Sequence, residues 1–236
     1  MSPSGGKDDG KNLTEAVVWL EELNPSDPNH YYQINLDNMA SPRVFKSHTP
    51  YSMMPGGPPH TTPARYIYVA RNPKDVVVSY YYHCITWKSM LYSGSWDQFY
   101  TMFMNNKIPF GSWFDHVLDW WKHRDAKNIL FLKYEDMIDN LKGTVEAIAK
   151  FLEYDLSPDV ISSIVTQSTF ESMRKNPTAN YSWWENRRKP ESVPFMRKGK
   201  VGDWRNHFSA VQSAEFDAVY ARRMKDTGLD FDFGQE

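Results

Sequence analysis

A single cysteine, Cys84, stands among 236 residues. No internal disulfide framework can form from it, and the expected setting is a reducing compartment. No apolar run approaches membrane-spanning length, and the opening MSPSGGKDDGKN lacks the apolar core of a signal peptide. These absences predict a cytoplasmic protein with no membrane partner. Charge of one sign is not in excess either. The formal net charge is -2, which gives no global field for nucleic acid, so any anion recognition must be local. The seven histidines form no H-E-x-x-H pair, and no metal is expected.

What is present suits one folded domain. Hydrophobic residues make up 41% and charged residues 24%, and the length is enough to bury a real core. The aromatic content of 15% fits a core or a pocket lined by rings. Residues 1–12 are polar and Gly-rich and read as a flexible tail. Residues 13–236 show no internal repeat and no second-domain linker, and read as a single domain.

Along that domain, LTEAVVWLEEL (13–23) predicts a short helix with Thr14 as a candidate cap. RVFKSH (43–48) and RYIYVA (65–70) predict strands, being short, β-rich and bounded by proline and glycine. In RNPKDVVVSYYYH, Asn72 can cap a helix that has Pro73 at its first position. WFDHVLDWWKHR (113–124) predicts a helix with an aromatic face, and NILFLKY (128–134) a buried strand. Helical spacing returns at Val145, Ile148, Ala149 and Leu152, at Ile161, Ile164 and Val165, and at Phe216, Val219, Tyr220 and Met224. Strands alternating with helices predict an α/β fold with a mostly parallel sheet flanked by helices.

In an open parallel sheet, ligands sit beyond the carboxyl ends of the strands. Lys46 and His48 follow the first strand, Arg71 the second and Tyr134 the third. The helix after Arg71 would turn its N-terminal amides toward the same rim, which favours a phosphate or sulfate. Ser79, two turns in, would add a hydroxyl. In FMRKGKVGDWRNHF (195–208), Arg197 and Lys198 beside Gly199 suggest a second anion clamp, the glycine letting backbone amides approach closely. Each group also has a purely structural use. His48 could be a core hydrogen-bonder, Arg71 a partner of Asp75, Ser79 a backbone-bonding hydroxyl, Tyr134 a core ring, and the 197–205 cations a solvated loop.

YIYVARNPKDVVVSYYYH and FMRKGKVGDWRNHF resemble the two 3'-phosphate-binding signatures of the cytosolic sulfotransferases. RVFKSHTPYSMMP is similar to that family's Lys-x-His catalytic segment, KYEDM to its post-strand tyrosine motif, and STFESMRKNP to its adenine-contacting stretch. The likeness runs from about residue 40 to the C-terminus, with five matches in order. It implies transfer of a sulfuryl group from 3'-phosphoadenosine 5'-phosphosulfate (PAPS, the co-substrate) to a hydroxyl or amine of a small-molecule acceptor. His48 would be the general base and Lys46 would steady charge on the transferring group. Arg71, Ser79, Arg197, Lys198 and Gly199 would hold the 3'-phosphate. Tyr134, Ser168, Phe170 and Met173 would contact the adenosine, with Phe195 and Met196 nearby. His83 falls where relatives wall the acceptor pocket. The ring-rich loops 49–62, 83–112 and 178–195 suggest a flat hydrophobic acceptor such as a phenol or steroid, or equally ordinary loop packing.

Relatives open their sheet with a strand and a YPKSGTTW-like loop that cradles the 5'-phosphosulfate, and no such segment occurs in these residues. The resemblance therefore implies a P-loop-NTPase-like sulfotransferase fold lacking its first strand and phosphate loop, with an exposed apolar gap in the sheet. Two outcomes follow: an incomplete version of a working enzyme, which the intact downstream motifs favour, or a catalytically inactive truncated relative that at most binds PAP, PAPS or a protein partner. The family's C-terminal dimer motif is degraded at Arg205, Ser209, Ala210 and Glu215, which predicts a monomer or weak homodimer. A kinase reading from HRDAKN and DFG fails, because Asn128 is two residues early and no glycine-rich loop precedes a strand.

Overall fold

The computed structural model describes residues 12–22, 39 and 41–234. Apart from Asn12, the expected flexible tail lies outside the described residues. The helix expected over 13–23 is broken into three pieces: α1 (Leu13–Ala16), β1 (Val18–Trp19) and a 3₁₀ turn (Leu20–Glu22). Asn12, not Thr14, serves the helix start, its Oδ1 accepting from the Thr14 amide at 3.1 Å. The run Val17-Val18-Trp19 favours extended backbone, and β1 pairs in parallel with β2 (Phe45–Lys46), Val18 opposite Phe45 and Trp19 opposite Lys46. A tertiary pairing thus overrides a helical pattern.

The second parallel pair is β3 (Tyr66–Ala70) with β4 (Ile129–Lys133), in register from Tyr66 opposite Ile129 to Ala70 opposite Lys133. Between them run α2 (Pro73–Thr86), α3 (Trp96–Met104) and α4 (Trp113–Trp121). After β4 come α5 (Tyr134–Asp139), α6 (Leu141–Phe151), α7 (Pro158–Gln167), α8 (Phe170–Lys175) and α9 (Ala210–Met224). Both pairs are parallel, as expected. Among the described residues they remain separate two-stranded ladders. On β3, Ile67 and Val69 are 39% and 47% exposed and line a cavity of about 810 Å³.

The core lies on the other side of β3. Val77, Phe99, Val117 and Phe216 are fully buried and join α2, α3, α4 and α9 in one apolar cluster. Helix starts follow the sequence signals. Asn72 caps α2 by accepting from the Asp75 amide at 2.8 Å, and Ser157 caps α7 by accepting from Val160. The last helix stops at Met224, short of Gly228. Lys74 is buried beneath the C-terminal region, where it donates to Ser213 (2.7 Å), pairs with Asp217 (2.7 Å) and sits over the Trp204 ring (4.1 Å). This pairing is what lets an ammonium remain there.

Candidate active site

The β2 strand delivers Lys46 and His48 to the cavity, where β3, α2 and the loop before α4 bring Arg71, Ser79, His83 and Phe110. His48 is held by its backbone from both ends. Its amide donates to Glu21 Oε1, and the same carboxylate accepts from Ser47 Oγ (2.7 Å) and Thr49 Oγ1 (3.0 Å). Its carbonyl accepts from His116 Nε2 at 2.9 Å. The His116 proton must therefore sit on Nε2, leaving Nδ1 to accept from the Tyr68 hydroxyl at 2.9 Å.

The His48 ring packs between Trp19 (5.2 Å) and Phe110 (5.3 Å). Burial first, then the Lys46 charge, pushes its pKa down to about 4. The imidazole is thus neutral at physiological pH, the form a base requires. Its Nδ1 is buried without a hydrogen-bond partner among the described residues. Lys46 Nζ rests over the Trp19 ring at 4.6 Å.

Arg71 links this cavity to the second motif. Its guanidinium lies over the Tyr134 ring at 4.4 Å, pairs with Asp75 at 3.2 Å and donates to the Lys200 carbonyl at 2.9 Å. Asp75 accepts from the Gly202 amide (2.9 Å) and the Trp204 amide (3.0 Å). Asn72 donates to Glu135 Oε1 through its amide and side chain, at 2.8 and 3.0 Å. The 197–204 loop is thereby fastened to the start of α2. One expectation changes here. Asn72 Oδ1 accepts from the Asp75 amide, and the Asp75 carboxylate places a negative charge in the first turn of α2, which works against an anion at that helix end.

In the loop itself, Asp203 pairs with Arg197 (2.6 Å) and Lys198 (2.5 Å). Although burial raises its pKa, hydrogen bonds from Lys198, Asn206 and Arg197 hold it down at about 2. Arg197 also lies over the Tyr82 ring at 4.4 Å. Gly199 has φ +63 and sits so close to Phe170 that an added Cβ would fall 2.1 Å from the ring. Glycine is required there on both counts. The α8 start and the Arg197–Gly199 loop, 27 residues apart from Phe170 to Arg197 in sequence, are therefore in contact. Phe195 packs on Tyr181 (4.2 Å) and near Trp87 (6.1 Å), and it lines the cavity. Ser168 closes α7, Met173 lies within α8, and Met196 is half-buried beside Phe195. None of these three lines the cavity.

Three positioning groups escaped the sequence reading. Glu21 gives no local signal, because its partners lie 26 to 28 residues away. His116 is visible only as the one imidazole in the aromatic run WFDHVLDWW. Asp203 could have been found as the acid within a run of cations.

Two donor sites fit an anionic nucleotide. Arg71 Nε is buried with no partner among the described residues, and the Gly199 loop carries two cations, Arg197 and Lys198, that share the single carboxylate of Asp203. Among the described residues, no group of three or more His, Cys, Asp or Glu could hold a metal ion, and no helix is long and apolar enough to cross a membrane.

Residues 7–228 match the family model described as the sulfotransferase domain. Among curated relatives, mouse (Mus musculus) sulfotransferase 1 family member D1 is 41% identical over 220 residues, covering 93% of this chain and 74% of its own. Amine sulfotransferase of the rabbit Oryctolagus cuniculus is 39% identical over 224 residues, covering 94% and 74%. Among solved structures, a mouse sulfotransferase complexed with PAP superposes with TM-score 0.71 at 29% identity, over 81% of this chain and 68% of that one. Retinol dehydratase in complex with androsterone and inactive cofactor PAP gives 0.76 at 30% identity, over 83% and 57%.

Proposed function

Since the chain belongs to the sulfotransferase family, we propose that it moves the sulfuryl group of PAPS to a hydroxyl or amine of a small, aromatic or hydrophobic acceptor, with His48 as general base. One observation carries the reading. Lys46, His48, Arg71 and Ser79 share a single cavity, and Arg71 is hydrogen-bonded to the loop that bears Arg197, Lys198 and Gly199.

PAPS, when bound, supplies an activated sulfuryl group and a nucleotide leaving group. The chain's own residues do the rest. Arg197, Lys198 and the Nε–H of Arg71 hold the 3'-phosphate, arginine's planar fork suiting that anion. Phe170, packed on Gly199, offers a face for the adenine, with Tyr134, Ser168, Met173, Phe195 and Met196 completing the nucleotide's surroundings. Lys46 stabilises charge on the transferring oxygens. His48, neutral because it is buried beside Lys46, accepts the acceptor's proton. A positioned base typically contributes about a hundred- to ten-thousand-fold. Glu21 and His116 act through the His48 backbone and fix where the ring sits. The acceptor lies against Tyr80, Met90, Ile108 and Phe110, all on the cavity wall.

The test is incubation with radiolabelled PAPS and a panel of phenols, alcohols and amines. Label transfer is expected, and its loss in His48→Ala while PAP still binds. Saturable PAP binding without transfer to any acceptor would instead indicate a nucleotide-binding relative that does no chemistry.

A further inference from the structure

A second imidazole reaches the same cavity from α2. His83 stands one turn beyond Ser79 and lines the wall. Its Nδ1 lies 3.1 Å from the indole Nε1 of Trp87. An indole N–H can only donate, so His83 Nδ1 must present its lone pair there, and a neutral ring then carries its proton on Nε2. Trp87 is itself fixed, being buried and set edge-on to Trp184 at 5.6 Å. Burial, then the charge of Lys46 and the neighbouring His48, keep His83 neutral, with its pKa at about 4. Among the described residues no hydrogen bond reaches Nε2. The two histidines are thus unlike. His48 has no partner dictating its tautomer, whereas His83 is locked as a donor in a cavity that it shares with the polar groups Lys46, His48 and Ser79 and with the apolar side chains Met90, Ile108 and Phe110.

We propose that His83 determines acceptor specificity, its Nε2–H selecting hydroxylated rings that carry a second oxygen, whether carbonyl, ether or further hydroxyl. This rests on the sulfotransferase reading of the site. A fixed donor on the cavity wall gains a partner from such a ring and is left unpaired by a ring that covers it and lacks the oxygen. A site of that kind discriminates against the analogue without the polar group. Trp87 is the positioning residue, since it sets which nitrogen holds the proton.

The experiment uses the full chain with saturating PAP, which cannot react. Ring binding is read by tryptophan fluorescence for 2-naphthol, its methoxy and acetyl derivatives at several ring positions, and the dihydroxynaphthalenes. The wild type is expected to bind the best-placed oxygenated ring about tenfold more tightly than 2-naphthol. His83→Phe should erase that preference without weakening 2-naphthol, and His83→Gln, which keeps an N–H donor, should restore part of it. Long-range proton–nitrogen NMR of the imidazoles should find His83 protonated on Nε2 alone.

A preference that survives His83→Phe overturns the proposal. So does an equal loss for every ring, failure to bind any ring, or a proton on Nδ1. Sulfuryl transfer with an unchanged preference would refute this inference alone. Preference lost in His83→Phe, in a protein that never transfers label from PAPS, would refute the reaction and leave the inference standing.

Discussion

Acidifying the free protein from pH 7 to pH 5 should destabilise it through two cavity histidines. In the unfolded chain each imidazole titrates near its ordinary value of about 6.5. In the folded protein, burial and the Lys46 charge lower His48 and His83 to about 4 each. Folded-state values below the unfolded ones mean that the stability is complete above the unfolded pKa. It drains away as pH falls toward the folded one, because the unfolded chain takes up protons that the folded chain refuses. At pH 5 each histidine removes about 2 kcal/mol by that linkage, or about 4 kcal/mol for both.

Such a loss is a large part of the roughly 5–15 kcal/mol that holds a domain together. Burial also lowers His116 and His207, which adds in the same direction. Urea unfolding at pH 7, 6 and 5 reads the effect as a falling midpoint, and His83→Phe should show about half of the two-histidine loss. The pH profile of kcat/KM, which reports the free enzyme, should show no acid limb at the ordinary imidazole value beyond what unfolding explains. A midpoint that is flat or rises between pH 7 and 5, or a His83→Phe slope equal to wild type, would refute the reasoning.

Other substitutions separate the roles of the site. Gly199→Ala should weaken PAP binding at least tenfold, since a Cβ 2.1 Å from the Phe170 ring must displace either the ring or the loop, and titration calorimetry would detect it. Arg197→Ala should weaken PAP by about 1–3 kcal/mol, the range for charged hydrogen bonds, whereas His48→Ala should leave PAP affinity nearly intact. Equal losses in both variants would contradict the assignment. Glu21→Ala removes the carboxylate that accepts from the His48 amide, Ser47 and Thr49. It should lower kcat about tenfold or more with little change in PAP affinity, and a loss confined to nucleotide binding would show that the clasp serves another purpose.

Much of this was legible because the signals were local. Asn72-Pro73 marks the start of α2 and β-rich runs mark β3 and β4, while Lys46, His48 and Arg71, singled out at strand ends, do meet in one cavity. The failures have a common physical form, in that the deciding partner is distant in sequence. The 13–23 segment looked helical by spacing, yet Val18 and Trp19 pair with Phe45 and Lys46. The sequence gives no sign that Asp75, in the first turn of α2, ties down the Gly202 and Trp204 amides, 127 and 129 residues away. No periodicity announces that Glu21 and His116 grip the His48 backbone from opposite ends, or that Trp87 dictates a tautomer on α2.

The most direct measurement of the central claim is single-turnover transfer of label from PAPS to a phenolic acceptor, run in parallel with PAP binding, for wild type and His48→Ala. The account predicts label on the acceptor with wild type, none above background with His48→Ala, and matching PAP affinities. Undiminished transfer by His48→Ala would contradict it.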